Sequence, residues 1–208
     1  MFRCLMMLCL FAVAVAVAAP AMAQQRTDSG IQLTPFAGYT IGGEVDARED
    51  TEQETNYRLR ESSSYGFVLN WPSKAPTEWE LYYNHQDTEL AKGGPGVKLD
   101  TLQLGGTYLG QGSKHARPFF VATLGGMRIK PEAADNDYFV SFTLGGGYKF
   151  FPTKRIGIRL EARALGTFIS SNNSWFCSGG SNGATCAVRT SGNLLIQAQA
   201  NAGVIIRF

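Results

Sequence analysis

The last sixteen residues of the chain, 193–208, read NLLIQAQANAGVIIRF and alternate between two kinds of side chain. Every second residue from Leu194 to Phe208 is apolar, and the positions between them include Gln197, Asn201 and Arg207. This period of two predicts a β-strand with one apolar face. At about 3.3 Å per residue and a tilt of about 45°, the segment rises on the order of 35 Å, enough to cross the hydrocarbon layer of a bilayer. Strands of water-soluble domains are usually only about 5 to 6 residues long.

Seven further segments of the chain share this two-residue period. The eight predicted strands are 31–43, 64–71, 78–87, 98–109, 117–129, 138–150, 155–168 and 193–208. Short connections at 72–77, 110–116 and 151–154 alternate with mostly longer ones at 44–63, 88–97, 130–137 and 169–192. An even strand count and this alternation are typical of transmembrane barrels, whose short turns face the periplasm. We expect the long connections to be exposed loops, and the polar segment 44–63 most clearly so.

The first 23 residues have the pattern of a secretory signal peptide. Arg3 precedes an apolar run over 5–19, and Ala21 and Ala23 frame a cleavage site before Gln24. The run is short for a transmembrane helix, and no apolar run of about eighteen residues follows it. We therefore predict a signal peptide at 1–23 and a single barrel domain at 24–208, with no further domain after it. The formal charge of the full chain is only +2, so no nucleic-acid partner is predicted.

The end of the terminal strand resembles the sequence of a known family. Phe208 is preceded by apolar residues at alternating positions, Ile206 and Val204. In outer-membrane barrels this pattern is the signal that the assembly machinery recognises. With its glycine-rich, aromatic strands, the chain resembles the small eight-stranded outer-membrane barrels of Gram-negative bacteria, the OmpA/OmpX-type and opacity-type surface proteins.

The resemblance implies an all-β fold, an eight-stranded antiparallel up-and-down transmembrane β-barrel located in the cell outer membrane. It implies a monomer whose partners are outer-membrane lipid, lipopolysaccharide and the assembly machinery, with an extracellular ligand for the outer loops. It brings no catalytic residues, and neither a cofactor nor a metal is predicted.

Aromatic residues near the predicted short turns indicate a girdle at one membrane interface. Trp71 and Trp79 flank the turn at 72–77, and Tyr148 lies close to the turn at 151–154. A water-soluble sheet can also place two tryptophans beside one turn.

Charged residues occupy the polar parity of several strands, where they would face the barrel interior. They are Glu78, Glu80, Lys149, Arg159, Glu161, Arg163 and Arg207. Because a buried unpaired charge is strongly destabilising, we expect these residues to pair. They would form either an ionic plug that fills a narrow lumen or the lining of a gated ion path.

Only two cysteines lie beyond the predicted signal peptide, Cys177 and Cys186. In an exported protein this pair most simply forms a disulfide, and no histidine lies near in sequence to complete a metal site. Trp175 and Phe176 stand beside the first cysteine. The loop at 169–192 is then either a recognition tip or a segment that the disulfide protects from proteolysis.

Three Leu-Gly-Gly triplets recur at a spacing of twenty residues, at 104–106, 124–126 and 144–146. On consecutive antiparallel strands they predict a belt of glycines at one height, where a narrow barrel curves tightly.

Three functions remain open from the sequence. The first is a non-enzymatic surface barrel that acts in envelope integrity or surface interaction through its outer loops. The second is a narrow pore or carrier for small molecules. The third is a lipid A-modifying enzyme with His85, at the outer end of its strand, as a candidate catalytic residue. An interfacial position for His85 is the simpler interpretation, and His115 falls on a periplasmic turn.

Overall fold

The structure is a computed structural model that describes residues 30–48, 54–89, 96–113, 115–131, 136–169, 174–180, 183–190 and 194–208. The predicted signal peptide lies outside these residues. The described part of the chain contains twelve strands and no helix. In chain order they are β1 (Gln32–Gly42), β2 (Glu44–Arg48), β3 (Glu54–Arg58), β4 (Ser62–Pro72), β5 (Thr77–Glu89), β6 (Gly96–Leu109), β7 (Ala116–Pro131), β8 (Asp137–Phe150), β9 (Ile156–Phe168), β10 (Ser174–Gly180), β11 (Gly183–Thr190) and β12 (Leu194–Arg207).

Eight of the strands close into a barrel in the order β1-β12-β9-β8-β7-β6-β5-β4. All neighbours are antiparallel, and β1 closes the barrel by pairing with both β12 and β4. These strands correspond to the eight that the sequence predicts, so the predicted fold class is confirmed. Both chain ends of the barrel lie at the end with short turns, where Gln32 is opposite Arg207. By the rule for such barrels we expect this end to face the periplasm, and we call it the periplasmic end.

The two faces of each barrel strand differ as the sequence period requires. On the outer face large apolar side chains are exposed, for example Leu144 at 57% and Ile196 at 59%. The inner face is mostly polar and buried, as in Gln197 and Thr143. A closed barrel with an apolar exterior satisfies its backbone hydrogen bonds internally and can lie in lipid. None of the described residues forms a helix long and apolar enough to cross a membrane.

The expectation of exposed loops at 44–63 and 169–192 is wrong for much of these segments. β2, β3, β10 and β11 form a second, four-stranded sheet in the order β10-β11-β2-β3, which we call the outer sheet. Composition misled the prediction because polar and glycine-rich segments can still pair through their backbones once neighbouring strands fix their ends. Within this sheet Cys177 lies directly opposite Cys186. Whether the two residues form the predicted disulfide stays a prediction.

The glycine belt is also wrong as predicted, because the three triplets are not level. Gly105 lies opposite Thr123, and Gly145 lies opposite Val121, so both are offset from Gly125 along the strands. What the triplets share is one lumen-facing glycine each. A Cβ on Gly125 would overlap the carbonyl oxygen of Leu102 on the neighbouring strand, whereas one on lipid-facing Gly126 would meet nothing nearer than 3.7 Å.

Candidate functional site

Four charged side chains meet at the centre of the barrel and form a cluster that we call the lumen cluster: Glu80, Arg159, Glu161 and Arg163. Each guanidinium bridges both carboxylates. Arg159 lies 2.9 Å from Glu80 and 2.7 Å from Glu161. Arg163 lies 2.6 Å from Glu80 and 2.8 Å from Glu161. All four side chains are at most 2% exposed. The inner parity of β5 and β9 brings them together, because these strands face each other across the lumen.

Neutral side chains complete the bonding of the carboxylates. Asn70 and Thr107 donate to Glu80 at 3.1 and 2.5 Å. Asn201 donates to Glu161 at 3.1 Å. Hydrogen bonds of this kind are what makes a buried ion pair tolerable, since they replace the water that each charge has lost.

Aromatic rings cover the guanidinium groups. The Cζ atom of Arg159 lies 4.4 Å from the centroid of the Phe119 ring, and that of Arg163 lies 4.1 Å from the centroid of Tyr82. Tyr82 in turn stacks on Phe36 at 5.7 Å and donates its hydroxyl to Gln199 at 2.6 Å. The rings fill the volume that the ion pairs leave and add cation–π attraction.

A second ion pair lies nearer the periplasmic end. The Lys149 ammonium donates to Glu78 at 2.6 Å and to Gln32 at 3.1 Å, and Gln32 donates back to Glu78 at 2.9 Å. Arg207 is on the same parity but at the very end of its strand, where its Cζ atom lies 4.1 Å from the centroid of the Phe151 ring. The structure therefore brings six of the seven predicted interior charges into two paired groups and places Arg207 at the rim.

A layer of amides and hydroxyls lies above the lumen cluster. Gln103 donates to Ser141 at 2.8 Å, and its carbonyl oxygen accepts from Thr123 and Thr143 at 2.8 and 2.6 Å. On the other side of the lumen Gln199 donates to Ser64 and Asn84, at 2.6 and 3.0 Å.

The outer mouth of the barrel is closed by apolar side chains, which we call the apolar cap. Its members are Leu59, Val97, Leu99, Met127, Ile129, Phe139, Ile169 and Leu195, each at most 5% exposed. Most come from inner-facing positions at the outer ends of β6, β7, β8 and β12. Leu59 follows β3 and donates its backbone N–H to Gly43 at 2.9 Å, which ties the outer sheet to the barrel mouth.

Neither histidine ring is hydrogen-bonded to a serine or cysteine whose side chain the structure describes. His85 faces outward on β5, where Nδ1 lies 2.6 Å from Asp100 and Nε2 lies 3.4 Å from Asp87. Its ring centroid lies 5.1 Å from that of Tyr65. His115 is exposed on the periplasmic turn before β7. A histidine held between carboxylates on the outer wall has the surroundings of a residue at the headgroup level.

His85 belongs to a row of polar side chains that crosses the outer wall. Register places five outward-facing residues side by side on β4 to β8: Tyr65, His85, Asp100, Arg128 and Tyr138. Arg128 donates its Nε to Asp100 at 3.1 Å. One step further outward the next row contains Asp87, Lys98 and Lys130. Charges on the lipid-facing parity are thus confined to the outer ends of these strands.

The predicted interface aromatics lie at the opposite end of the same wall. Trp71 is directly opposite Trp79, which is 48% exposed. Tyr148 is exposed near the end of β8, and its ring lies 5.9 Å from that of Phe150. With the tyrosines of the outer row, these residues give the wall an aromatic band near each end, as expected of transmembrane barrels.

The residues of the predicted assembly signal lie at the end of β12 and directly after it. Val204, Ile206 and Phe208 are exposed there, and Phe208 donates its backbone N–H to Ile31 at 2.9 Å. Their recognition by the assembly machinery stays a prediction.

Sequence reasoning missed the apolar cap and the outward-facing charges. Both features were visible in the sequence as interruptions of the polar and apolar alternation. Val97 and Leu99 are apolar on a parity that is mostly polar. Lys98, Asp100, Arg128 and Lys130 are charged on a parity that is mostly apolar. Departures from the pattern at the outer ends of strands marked both features.

No protein-family model matches the chain, and no curated protein matches it. The fold is similar to the crystal structure of Neisserial surface protein A, with a TM-score of 0.58 and 12% identity over 86% of this chain and 97% of that chain. It is also similar to the outer membrane protein OprG from Pseudomonas aeruginosa, with a TM-score of 0.54 and 10% identity over 86% and 96% of the two chains. The outer membrane protein AlkL gives 0.51 and 7% over 91% and 94%.

At these identities the similarity concerns the fold alone. The apolar exterior of the barrel is observed in this structure, independently of the comparisons. By its strand order and its apolar outer wall, the described chain is an eight-stranded β-barrel suited to a membrane, and its fold is similar to those of these outer-membrane proteins.

Proposed function

We propose that the protein is a closed, non-enzymatic barrel that acts at the cell surface through the segments it exposes outside the membrane. The observation that carries this proposal is the filled lumen. Ion pairs occupy its lower half, amides and hydroxyls occupy the level above, and the apolar cap covers the outer mouth. Each layer is made of buried side chains held by contacts across the barrel.

The charges of the lumen argue for a structural plug. Three cations face three carboxylates there, in the pairs Lys149–Glu78 and the lumen cluster. An ion path needs sites that an ion can enter and leave, with charge left over to attract it. In this lumen the carboxylates are already taken up by guanidinium and ammonium groups, and the apolar cap opposes hydration of the mouth.

The end of the protein that carries the outer sheet offers more surface for binding a partner than the filled lumen does. Two of the four connections that were expected to be loops contribute the strands of the outer sheet, so paired backbone strands extend from the outer end of the barrel. Ordered segments lose less conformational entropy on binding than flexible ones. An enzymatic function lacks comparable support, because no serine or cysteine nucleophile contacts His85 in the described part of the chain.

Conductance measurements test the closed lumen. Purified protein inserted into planar bilayers should give no unit conductance steps. A trimeric porin, purified and inserted in the same way, is the positive control and should conduct. Reproducible steps from the wild-type barrel would contradict the proposal and favour the pore.

A trimmed variant tests the outer sheet. Residues 44–58 and 174–190 are each replaced by a short Asn-Gly hairpin turn, which leaves the barrel strands and Leu59 in place. The trimmed protein should still insert and keep its heat-modifiable gel mobility, yet fail to restore adhesion or envelope integrity to a deletion strain. A control with Lys74→Gln and Lys154→Gln on the periplasmic turns should restore both. Full restoration by the trimmed variant would overturn the role of the outer sheet.

A further inference from the structure

The two ends of the barrel differ in charge. The three short connections at 72–77, 110–116 and 151–154 contain three lysines and no Asp or Glu. The four long connections contain eleven Asp and Glu residues against six Lys and Arg residues. Because the short connections lie together at one end of the barrel, the periplasmic end is basic and the outer end is acidic.

Three arginines lie on one arc of the periplasmic rim, and we call them the arginine rim: Arg117, Arg155 and Arg207. Arg117 is the second residue of β7, Arg155 directly precedes β9, and Arg207 ends β12. The strands β12, β9, β8 and β7 are consecutive in the barrel, and Arg207 donates its backbone N–H to the carbonyl oxygen of Arg155 at 2.8 Å. With about 4.8 Å between neighbouring strands, the arc spans roughly 15 Å.

Two of these arginines are on the lumen side of their strands. Arg117 lies opposite Lys149, and Arg207 lies opposite Gln32. Lys149 and Gln32 are both buried in the lumen, and residues directly opposite each other share a face of the sheet. Lipid headgroups surround the outer wall. The lumen side of the rim is therefore open to a partner that approaches along the barrel axis from the periplasm.

The carboxylates that the structure describes do not neutralise the arginine rim. Glu78 lies at this end of the lumen, but the Lys149 ammonium and the Gln32 amide already donate to it, at 2.6 and 2.9 Å. Arg117 and Arg155 form no ion pair with a carboxylate in the described part of the chain. Their guanidinium groups are thus available to an anion from outside the protein.

The ends of the chain do not reverse this balance. A terminal carboxylate at Phe208 would offset one positive charge. The segment just before β1, 24–29, contains one arginine and one aspartate, whose charges cancel. Lys114, in the turn before β7, adds a further cation in the sequence.

Hydrogen bonds order the turns beside Arg117 and Arg155. The Ser113 hydroxyl accepts from the backbone N–H of Ala116 at 3.0 Å, and the Thr153 hydroxyl accepts from that of Ile156 at 2.9 Å. A partner that binds here therefore has little backbone to order, which lowers the entropic cost of binding.

We propose that the arginine rim binds an extended acidic segment of a periplasmic protein. A guanidinium binds a carboxylate through two parallel hydrogen bonds, so arginines suit carboxylates better than lysines do. An extended segment of about four to five residues, at about 3.3 Å per residue, spans the arc and presents every second side chain to it. The site lies at the opposite end of the barrel from the outer sheet, so it does not depend on the surface function proposed above.

The test uses the folded, full barrel in detergent and a fluorescent peptide in which Glu alternates with Ser. The control peptide has Gln in place of Glu, and fluorescence anisotropy measures binding. Wild type should bind the Glu peptide at least about tenfold more tightly than the Gln peptide, as expected for charge-assisted hydrogen bonds. The preference should decrease as salt is raised, because exposed charges are screened. Equal binding of the two peptides would overturn the proposal.

Two competitors distinguish a polypeptide from other periplasmic anions. Soluble peptidoglycan fragments that displace the Glu peptide at lower concentrations than the unlabelled peptide does would overturn the assignment to a protein. The barrel is also placed in nanodiscs of phosphatidylcholine with or without phosphatidylglycerol. Binding of the Glu peptide should persist in both, and its loss with the anionic lipid alone would assign the rim to lipid headgroups.

Matched triple variants locate the site, and heat-modifiable mobility checks that each folds. The first variant has Gln at all three positions of the arginine rim and should lose the preference for the Glu peptide. The second removes three exposed cations from the outer end and should retain it: Arg60→Gln, Lys98→Gln and Lys130→Gln. Retention by the first variant, or loss by the second, would refute the site.

A single substitution tests the site without changing any barrel strand. Arg155 is exposed on the turn before β9. Arg155→Gln should weaken binding of the Glu peptide by about threefold, as expected for one exposed ion pair, and should leave binding of the Gln peptide unchanged. Unchanged affinity for the Glu peptide would contradict the proposal even if the triple variant failed to fold.

Discussion

The inner and the outer wall of this barrel both carry charged side chains, but the two sets differ in burial and in pairing. In the lumen cluster each guanidinium lies within 3 Å of two carboxylates, and the side chains are at most 2% exposed. On the outer wall Lys98 faces Lys130, and both are exposed. The difference follows from what surrounds each set. A charge enclosed by protein must find its counter-charge within the protein, while a charge at the membrane surface can be neutralised by its environment.

The comparison also distinguishes charged residues that stabilise the barrel from charged residues that are exposed to its surroundings. The charges of the lumen cluster are paired with one another and contribute to a closed barrel. At the outer rim Lys98 and Lys130 are exposed, and Lys98 lies 4.0 Å from Asp87. Substitutions on the two walls should therefore differ in size and in kind, and the following predictions are ordered by the effect we expect.

The largest effect should come from breaking the lumen cluster. Arg163→Met leaves Glu80 and Glu161 buried with one guanidinium fewer, which should lower the free energy of unfolding by about 3 to 5 kcal/mol. Arg60→Met is the control, because Arg60 and Glu89 form an ion pair that is 64% and 55% exposed. Such a surface pair should contribute at most about 1 kcal/mol. Urea titration of the refolded barrel in lipid vesicles measures both, and equal effects would show that burial does not distinguish the two pairs.

The next effect concerns depth along the outer wall. Leu144 and Tyr138 are both exposed on the lipid-facing side of β8, but Leu144 is near the middle of the strand and Tyr138 near its outer end. Leu144→Arg should lower the free energy of unfolding by about 2 to 4 kcal/mol and Tyr138→Arg by about 1 kcal/mol or less. The same vesicle assay applies. If Tyr138→Arg were as destabilising as Leu144→Arg, the tyrosine row would lie within the hydrocarbon layer and not at the headgroups.

A smaller contrast between the walls is expected for adjacent glycines. Gly125→Ala places a Cβ against the Leu102 carbonyl oxygen on the inside of the curve and should lower the free energy of unfolding by about 1 to 3 kcal/mol. Gly126→Ala, on the outside with 3.7 Å to the nearest atom, should change it by less than about 0.5 kcal/mol. Comparable losses from both substitutions would mean that strand propensity, and not curvature, requires glycine here.

The smallest effect on the barrel should come from the outer sheet. Cys177 and Cys186 lie opposite each other, so oxidation would close a short loop and constrain it locally by about 2 to 3 kcal/mol. Since the barrel strands pair without this sheet, reductant should leave heat-modifiable mobility unchanged. Thiol labelling before and after reduction follows the bond itself. Free thiols before reduction would refute the disulfide, and loss of the folded band after reduction would refute its local role.

Much of the barrel could be predicted because strand pairing in a membrane follows a period of two. Alternation alone assigned Glu80, Arg159 and Glu161 to the inner face and Leu144 to the outer face. The apolar cap escaped prediction because Val97 and Leu99 interrupt that alternation at a strand end, where a single sequence does not distinguish a cap from a strand boundary. The outer sheet was not predicted because its strands pair through backbone groups, and such pairing produces no pattern of hydrophobic residues in the sequence.

The eight barrel strands, their antiparallel order and the facing of most of their side chains could be read from the sequence. These depend on local periodicity and on turn length, which are properties of contiguous residues. The register of the strands, and therefore which residues from different strands meet, came from the fold alone. It set Lys98 beside Lys130, and it displaced the glycine triplets from a common level. It also joined Glu80 to Arg163, which lies 83 residues further along the chain. Register depends on the stagger of a whole closed barrel, so no single strand of this sequence carries it.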